Sequence, residues 1–449
     1  MSIGGLAPGA TGPSAAAAAL DQRLWRAYQT ELQKLGAQAL LRLMLVLAIV
    51  GPFAFAGLLR IQSGTPADAI FGIYVHSSGF AISLVVLSFA GNWGVPVIAG
   101  LVAGDMFSGE DRHNTWKTIL TRSCSLGDLF AAKALAAATV VGGLVLIAAT
   151  ASIIAGLVLV GAHGLVDLSG ALLSPARALW LTVASWLLCL LPALSYMGLG
   201  VLFSVASRNG IVGVVGPLVT ALATQLLNLV GQGVWVHLLL VGSPFTNFFA
   251  LFTAHASFGP LLISCLMSLV WAAGALIAAW LILRRRDFPT GAASRPAGWR
   301  GPLGVAIGSA VAGGGLALAT NFGPVGITQA RVQNAIAATF SNVTLLQQRL
   351  LGRTPPAGAK LDVQPYCSRH GTASRGPGDW LCNVYVYLPQ PKSVPFQQTN
   401  VDYDVSVATN GCFKAQSPPN FIGGQTMTDV HGRSVTNPLF VVYGCFNTL

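Results

Sequence analysis

Long apolar stretches, separated by short polar segments, run through the first 320 residues of the chain. A helix needs about 20 mainly apolar residues to cross a bilayer. The apolar residues here are continuous rather than alternating, which favours helices over a β-barrel. Seven stretches have this character: 39–59, 79–103, 134–160, 179–205, 211–230, 259–283 and 302–320. The pattern therefore predicts an all-α polytopic membrane protein with a six-span unit and a seventh transmembrane helix.

An amphipathic segment precedes the first span. Its larger apolar residues fall on one helical face: Leu20, Leu24, Trp25, Tyr28, Leu32 and Leu35. Its charged residues fall elsewhere: Arg23, Arg26, Glu31 and Lys34. Such a face predicts a helix over 20–38 that lies at the membrane surface, and an ordinary juxtamembrane helix is the alternative. Residues 1–19, which are mainly Gly, Ala, Pro and Ser, predict a disordered N-terminus.

The polar C-terminal part of the chain has a different pattern. After the six-span unit, residues 39–286, a segment rich in Pro, Gly and Ala predicts a cytoplasmic linker over 287–301. Beyond the seventh span, residues 327–351 show the apolar period of an amphipathic helix. Strand-like runs follow at 381–388, 401–408 and 439–446. Residues 321–449 are therefore predicted to form a small α+β domain.

Composition supports a membrane protein. The chain is 53% hydrophobic and only 9% charged, whereas soluble domains carry roughly 25% charged residues. The net charge of +11 raises the question of nucleic-acid binding. The basic residues, however, cluster beside the ends of the spans, where lysine and arginine determine topology. We therefore expect a lipid membrane, and no nucleic acid, as the partner of these charges.

The distribution of basic residues also predicts the orientation. Lysine and arginine number four in residues 1–42, four in residues 104–133 and five in residues 284–301. The loops on the other side of the six spans hold only Arg60 and Arg177. The positive-inside rule places the N-terminus in the cytoplasm and residues 321–449 outside the plasma (inner) membrane.

Four of the seven cysteines lie in the C-terminal domain: Cys367, Cys382, Cys412 and Cys445. In an oxidising compartment these predict two disulfides, with three possible pairings. The most local choice pairs Cys367 with Cys382 and Cys412 with Cys445. A zinc site is the rival interpretation, but no Cys-x-x-Cys pair is present. We expect no metal.

The catalytic motifs of common enzymes are absent from the sequence. It contains no phosphate-binding Gly-x-x-x-x-Gly-Lys-Ser/Thr loop, no Gly-x-Ser-x-Gly and no His-Glu-x-x-His. The chain is thus not expected to hydrolyse nucleotide by itself, to contain catalytic residues or to bind a cofactor.

The most informative segment is the polar stretch 104–133 between the second and third predicted spans. It holds Glu110, one of only two glutamates in the chain. The segment resembles the cytoplasmic motif of type-2 ABC transporter permeases, which has an acidic residue, a small-residue pair, a Leu-rich turn and a lysine entering the third span. Matching positions are Glu110, Thr115, Ile119, Leu120, Arg122, Ser125 and Lys133. The sequence departs from the family motif at three positions: Asn114 stands where glycine is usual, Ser123 where proline is usual and Leu126 where a basic residue is usual.

The resemblance covers about residues 20–286 and implies a function. Permeases of this family are mostly exporters that work as dimers, and a short cytoplasmic coupling helix docks on a separate ABC ATPase subunit. The implied substrate is hydrophobic or amphipathic. The implied coupling residues are Glu110, Arg112, Thr115, Trp116, Lys117, Leu120 and Arg122. Two alternatives stay open: the segment is only a topogenic loop, or the protein is a multi-span scaffold that presents its outer domain without transport.

Overall fold

The structure is a computed structural model of the full chain. It describes residues 13–62, 66, 68–116, 125–229, 234–253, 258–286, 326–353, 361–371, 374–387, 398–418 and 422–448. The seventh predicted span and the 287–301 linker lie outside these residues, as do residues 1–12.

The membrane part is a bundle of long apolar helices. Its helices are α1 (Pro13–Ala37), α2 (Ala39–Ile61), α3 (Gly79–Phe89), α4 (Val95–Ala103), α5 (Ser108–His113), α6 (Leu126–Leu159), α7 (Pro175–Leu188), α8 (Leu190–Ser207), α9 (Gly210–Leu229) and α12 (Phe258–Arg284). A π-helical turn, Ala90–Gly94, joins α3 to α4. Within the described residues, six helical segments are long and apolar enough to cross a membrane, which confirms the predicted six-span core.

The helices extend further into the polar 104–133 segment than the apolar pattern predicted. The second span was predicted to end at residue 103, but its helical segment continues to His113. The third was predicted to begin at residue 134, but α6 begins at Leu126, where the Ser125 hydroxyl accepts a hydrogen bond from the Asp128 amide. An N-cap of this kind starts a helix irrespective of the polarity of its first turn. Lys133 is therefore inside α6.

The interfacial helix is also longer than the predicted 20–38, because α1 begins at Pro13. It packs along α6, with Leu35 buried in the shared core. Trp25 was predicted to lie on the apolar side of this helix that faces the membrane. It is 57% exposed in the isolated chain, as a residue that faces lipid would be.

The C-terminal domain has the predicted α+β architecture. Helix α13 (Gln329–Leu350) covers one face of an antiparallel sheet with strand order β3-β4-β5-β6-β9. The strands are β3 (Asp362–Arg369), β4 (Gly378–Tyr387), β5 (Gln398–Val407), β6 (Cys412–Gln416) and β9 (Val441–Cys445), with a separate hairpin of β7 (Thr426–Thr428) and β8 (Ser434–Thr436). Phe340 of α13 packs edge-on against Tyr403 of β5, with ring centroids 4.6 Å apart.

The C-terminal domain rests on one end of the bundle, which we call the tail end. Asn342 Nδ2 donates to the Ser169 carbonyl at 2.7 Å, in the loop that carries β1 (Leu165–Val166) and β2 (Leu172–Leu173). Asn410 Nδ2 donates to the Thr246 carbonyl at 3.1 Å. The two units therefore contact each other through two loops of the bundle.

The segment between α9 and α12 forms short helices: α10 (Val234–Leu239), α11 (Pro244–Asn247) and a 3₁₀ turn, Phe248–Phe252. Its aromatic residues are buried, with Phe245, Phe248 and Phe252 each at most 1% exposed.

Arg286 and Gly326 lie at opposite ends of the bundle. Arg286, just after α12, binds Asp111 of α5, at the end that we call the charged end. Gly326 precedes α13 and approaches the backbone of Thr448 within the C-terminal domain at the tail end.

The four C-terminal cysteines lie in the pairs that locality favoured. The sulfur atoms of Cys367 and Cys382 are 2.10 Å apart, and those of Cys412 and Cys445 are 2.01 Å apart. Each pair is directly cross-strand in the sheet register, so neighbouring strands bring the sulfur atoms together. Within the described residues, no group of three or more His, Cys, Asp or Glu side chains could hold a metal ion.

Candidate functional site

Lys133 lies at the centre of a buried group of charges at the charged end. Its side chain is 2% exposed. The ammonium donates to Glu31 Oε2 at 2.9 Å, to Glu110 Oε1 at 3.0 Å and to the Met106 carbonyl at 3.2 Å. A lysine has three donors and no acceptor, so every proton of this ammonium has a partner. The only two glutamates of the chain thus converge on one lysine.

Lys34 of α1 completes this charge cluster, which consists of Glu31, Lys34, Glu110 and Lys133. Its Nζ lies 2.7 Å from Glu31 Oε1 and 3.4 Å from Glu110 Oε1. Partial burial lowers the pKa of Lys34, but the two carboxylates outweigh this effect and raise the pKa above its ordinary value. The cluster contains two positive and two negative groups and is neutral as a whole, which is the condition under which buried charges are tolerated.

The burial of Glu31 corrects the sequence interpretation of α1. Glu31 was predicted on the polar side of an interfacial helix, but it is only 4% exposed. Helical periodicity places Glu31 beside Tyr28 and Leu35 on the face that packs on α6. Since Lys133 is presented by α6, Glu31 belongs to the side of α1 that packs on α6, together with the apolar residues Tyr28 and Leu35.

Helix α5 presents the second glutamate and is held by contacts on several sides. The Ser108 amide donates to Ser204 Oγ of α8 at 3.1 Å. At its other end, Asn114 adopts a left-handed conformation (φ 51°) that terminates the helix. The Thr115 hydroxyl then turns back to donate to Glu110 Oε2. These contacts direct the Glu110 carboxylate inward, towards Lys133.

Asp111, next to Glu110, makes a second connection. Its Oδ1 accepts from Trp116 Nε1 at 2.8 Å, and its Oδ2 binds Arg286 Nη1 at 2.9 Å. The indole of Trp116 is 6% exposed and stacks near Phe107, with ring centroids 6.4 Å apart. Burial lowers the pKa of Arg286, while the Asp111 carboxylate opposes this shift. Asp111 therefore joins α5 to the end of the last described span.

The predicted coupling residues divide into two groups in the structure. Glu110, Thr115 and Trp116 make intramolecular contacts that position α5. Arg112 points outward, with a side chain that is 62% exposed and an ion pair to Asp105 at 2.9 Å. The remaining three predicted coupling residues lie outside the described residues: Lys117, Leu120 and Arg122.

The sequence motif included Lys133 but did not predict its partners. It missed Glu31, Asp111 and Arg286. Two features of the sequence could have indicated the charge cluster: glutamate is scarce, and Lys133 is followed by a long apolar run. An ionisable group at the edge of a span needs a partner of opposite charge.

Helices α4 and α9 meet close to the charge cluster at a glycine contact. A Cβ atom on Gly104 would lie 2.5 Å from the carbonyl carbon of Gly213, and one on Gly100 would lie 2.5 Å from the Val214 carbonyl oxygen. Small residues allow membrane helices to approach backbone to backbone in this way. Further along α9, Gln225 Nε2 donates to Asn92 Oδ1, in the π-helical turn that precedes α4, at 2.7 Å. The second and fifth spans thus form a tight pair.

The arrangement is mechanical rather than catalytic. It joins α1, α5 and α6 through buried, fully hydrogen-bonded charges, and it joins α5 to the ends of α8 and α12. Removing one partner from such a buried group is strongly destabilising, so the helices are expected to move together. A force applied to the outward side of α5 would therefore reach three or more spans as a rigid-body motion.

Comparison with known families agrees with this arrangement. Residues 27–222 match the model of the family described as ABC-2 family transporter protein. No curated protein matches the chain. The matched range contains all four members of the charge cluster and ends before the C-terminal domain. Residues 27–222 are therefore similar to the ABC-2 transporter family, and the protein is a multi-pass membrane protein with an additional C-terminal α+β domain.

Proposed function

We propose that the chain is the transmembrane subunit of an ATP-driven exporter, coupled through α5 to a separate ATPase subunit. The observation that carries this proposal is the charge cluster, because it fastens the short helix α5 to α1 and α6. The sequence contains no phosphate-binding Gly-x-x-x-x-Gly-Lys-Ser/Thr loop, which supports ATP hydrolysis by a separate partner. The family supports a hydrophobic or amphipathic substrate and a second permease subunit.

In this proposal α5 and the residues that follow it form the coupling element. Arg112, His113 and Asn114 are exposed at its outer side, where an ATPase would dock. Glu110 and Trp116 act as positioning residues that hold this side in place. Lys117, Leu120 and Arg122 are proposed as further docking residues on the basis of the family motif.

The proposed orientation places the charged end in the cytoplasm of the plasma (inner) membrane and the C-terminal domain outside. The concentration of lysine and arginine at the charged end supports it. The positions of Arg286 and Gly326 at opposite ends of the bundle support a seventh span at 302–320. The two cysteine pairs support an oxidising compartment for the C-terminal domain.

The coupling proposal predicts distinct effects for docking and positioning residues. Arg112→Ala is expected to weaken binding of the ATPase subunit about tenfold, as exposed arginines at interface centres do. Trp116→Ala is expected to lower transport per ATP hydrolysed, because α5 loses its contact with Asp111 and Phe107. The measurements are co-purification with the ATPase subunit, and paired ATPase and transport assays in proteoliposomes.

A matched control is available for the tryptophan substitution. Trp180 is 68% exposed and lies in the first half of α7, on the side of the fourth span that is nearer to the tail end. Trp180→Ala should therefore change neither binding of the ATPase subunit nor transport per ATP hydrolysed. If Arg112→Ala and Trp116→Ala bind the ATPase and transport like the parent protein, α5 is not the coupling element. The scaffold function would then be favoured.

The orientation predicts that the C-terminal cysteines are accessible only from outside. After mild reduction of intact cells, a membrane-impermeant thiol reagent should label Cys367, Cys382, Cys412 and Cys445. The control is Cys189, which is buried in the bundle and should remain unlabelled. Labelling of the four cysteines only after cell lysis would reverse the proposed orientation.

A further inference from the structure

The last described span, α12, carries an apolar stripe along most of its length. Ile263, Val270 and Ile277 recur every seven residues, which places them on one side of the helix at intervals of two turns. Ile263 packs on the apolar cluster that α10 shares with the C-terminal domain. Val270 and Ile277, in contrast, are 60% and 58% exposed. Among the described residues, the stripe is therefore covered at the tail end only.

Gly326, where the described chain resumes after α12, lies close to the first turn of that helix. Its backbone approaches the backbone of Thr448. Phe446, two residues before Thr448, lines the same small cavity as Pro260, which belongs to the first turn of α12. Arg286, after which the described chain stops, lies two residues beyond the last turn of α12. The two residues that flank 287–325 are thus held at opposite ends of one helix.

The length of the flanking connection limits where a seventh span can lie. Residues 321–325 extend by at most about 3.6 Å each. A span that ends at residue 320 therefore has its outer end within about 20 Å of Gly326. Packed helices have axes about 8–10 Å apart, so this reach covers α12 and the helices next to it.

The sequence of 302–320 has a stripe of small residues that matches the stripe of α12 in depth. Gly308 and Gly315 are seven residues apart and so share a helical face. They lie 6 and 13 residues from the charged-end limit of their predicted apolar stretch, 302–320. Ile277 and Val270 lie 6 and 13 residues from the charged-end limit of theirs, 259–283. In an antiparallel pair, each large side chain of the stripe would face a glycine.

We propose that residues 302–320 dock as a span, antiparallel to α12, on the stripe that contains Val270 and Ile277. This inference rests on the proposed seventh span and assigns its partner. Glycines at the contact let the two helices approach closely, so that van der Waals packing holds the pair together. The docked helix ties the C-terminal domain to the last span of the six-span unit, and it closes this face of α12 to a second permease subunit.

Disulfide cross-linking in the full chain tests the arrangement. One cysteine pair is Ile277→Cys with Gly308→Cys, and the other is Val270→Cys with Gly315→Cys. A protease site is inserted in the 287–301 linker, and membranes are treated with copper phenanthroline before cleavage. We expect both pairs to cross-link, so that the two fragments stay joined on a non-reducing denaturing gel and separate after reduction. The second pair keeps the test valid if one double variant fails to fold.

Two control pairs distinguish docking from random collision in the membrane. Leu269 is 45% exposed and lies at nearly the depth of Val270, but it is turned about 100° around α12. Leu269→Cys with Gly315→Cys should therefore remain unlinked. Val219 on α9 is 56% exposed, and Val219→Cys with Gly308→Cys should also remain unlinked.

Three results would overturn the proposal: no cross-link in either docking pair, equally efficient cross-links in the control pairs, or a product of twice the chain mass. The last would assign the stripe to a second copy of the chain. Thiol labelling of the C-terminal cysteines separates failure of docking from failure of the seventh span. Labelling from outside without cross-links would refute docking alone, whereas labelling only after lysis would refute the span as well.

Discussion

Replacing Lys133 with methionine is expected to destabilise the permease more than replacing any exposed lysine. Without the ammonium, Glu31 and Glu110 remain buried side by side as uncompensated negative charges. Breaking a buried charge group in this way costs about 3–5 kcal/mol. The measurement is thermal unfolding of the purified protein in detergent, with a melting temperature well below that of the parent protein as the expected result.

Two controls distinguish a loss of charge balance from a loss of packing. Lys34→Met removes a side chain that is 46% exposed, so it should cost no more than about 1 kcal/mol. The triple variant Glu31→Gln, Glu110→Gln and Lys133→Met has no charge at the centre of the cluster. It should be more stable than Lys133→Met alone, since replacing a complete buried ion group is tolerated better than breaking it. A triple variant that is less stable than the single one would contradict the electrostatic explanation.

Gly213→Ala is expected to separate the second and fifth spans. The added Cβ would overlap the backbone carbonyl of Gly104, and a backbone atom of a packed helix cannot move aside like a flexible side chain. Overpacking typically costs about 1–3 kcal/mol, and a contact with backbone should lie at the upper end of this range. We expect a lower melting temperature and a loss of transport, measured in detergent and in proteoliposomes.

Gly274→Ala is the matched control for this prediction. Gly274 lies in α12, and nothing is within 4 Å of the position that its Cβ would occupy. Alanine is favoured over glycine in a helix interior by about 0.5–1 kcal/mol, so this variant should be at least as stable as the parent protein. Equal melting temperatures for Gly213→Ala and Gly274→Ala would show that the close helix approach is absent.

The glycine contact and the charge cluster lie at the same end of the bundle. The glycine contact fixes the second span against the fifth, and the charge cluster fixes the end of the second span against α1 and the third. Because these helices are both closely packed and linked by charges, they have little freedom to shift gradually relative to each other. This supports transmission of a docking force through rigid elements rather than through local bending.

Much of the architecture could be predicted from the sequence because it depends on local pattern. The length of each apolar run determines whether a helix can cross a bilayer, and the six described spans follow these runs. The amphipathic period of residues 327–351 predicted α13 in the same way. The cysteine pairs favoured by locality are also cross-strand neighbours. For Cys367 and Cys382 the strands are consecutive, whereas β6 and β9, which carry Cys412 and Cys445, pair although the β7–β8 hairpin lies between them in the chain.

Two strands of the C-terminal sheet were not predicted. Strand β3 contains Pro365, which argues against a strand in a sequence pattern but is accommodated here at the sheet edge. Strand β6, Cys412–Gln416, has only five residues and too little alternation to stand out. Pairing with longer neighbours, rather than intrinsic preference, gives both segments their conformation.

The sequence by itself determined which residues share a helical face, where the spans lie and which chemistry the chain lacks. The tertiary structure alone decided what each face contacts. Glu31 and Lys133 are 102 positions apart, and periodicity placed Glu31 on a face without revealing that α6 covers that face with a lysine. The same applies to Asp379 and Asp404 of the C-terminal sheet, which become neighbours only through strand register. Long-range pairing depends on three-dimensional packing, and a local pattern carries no information about its partner.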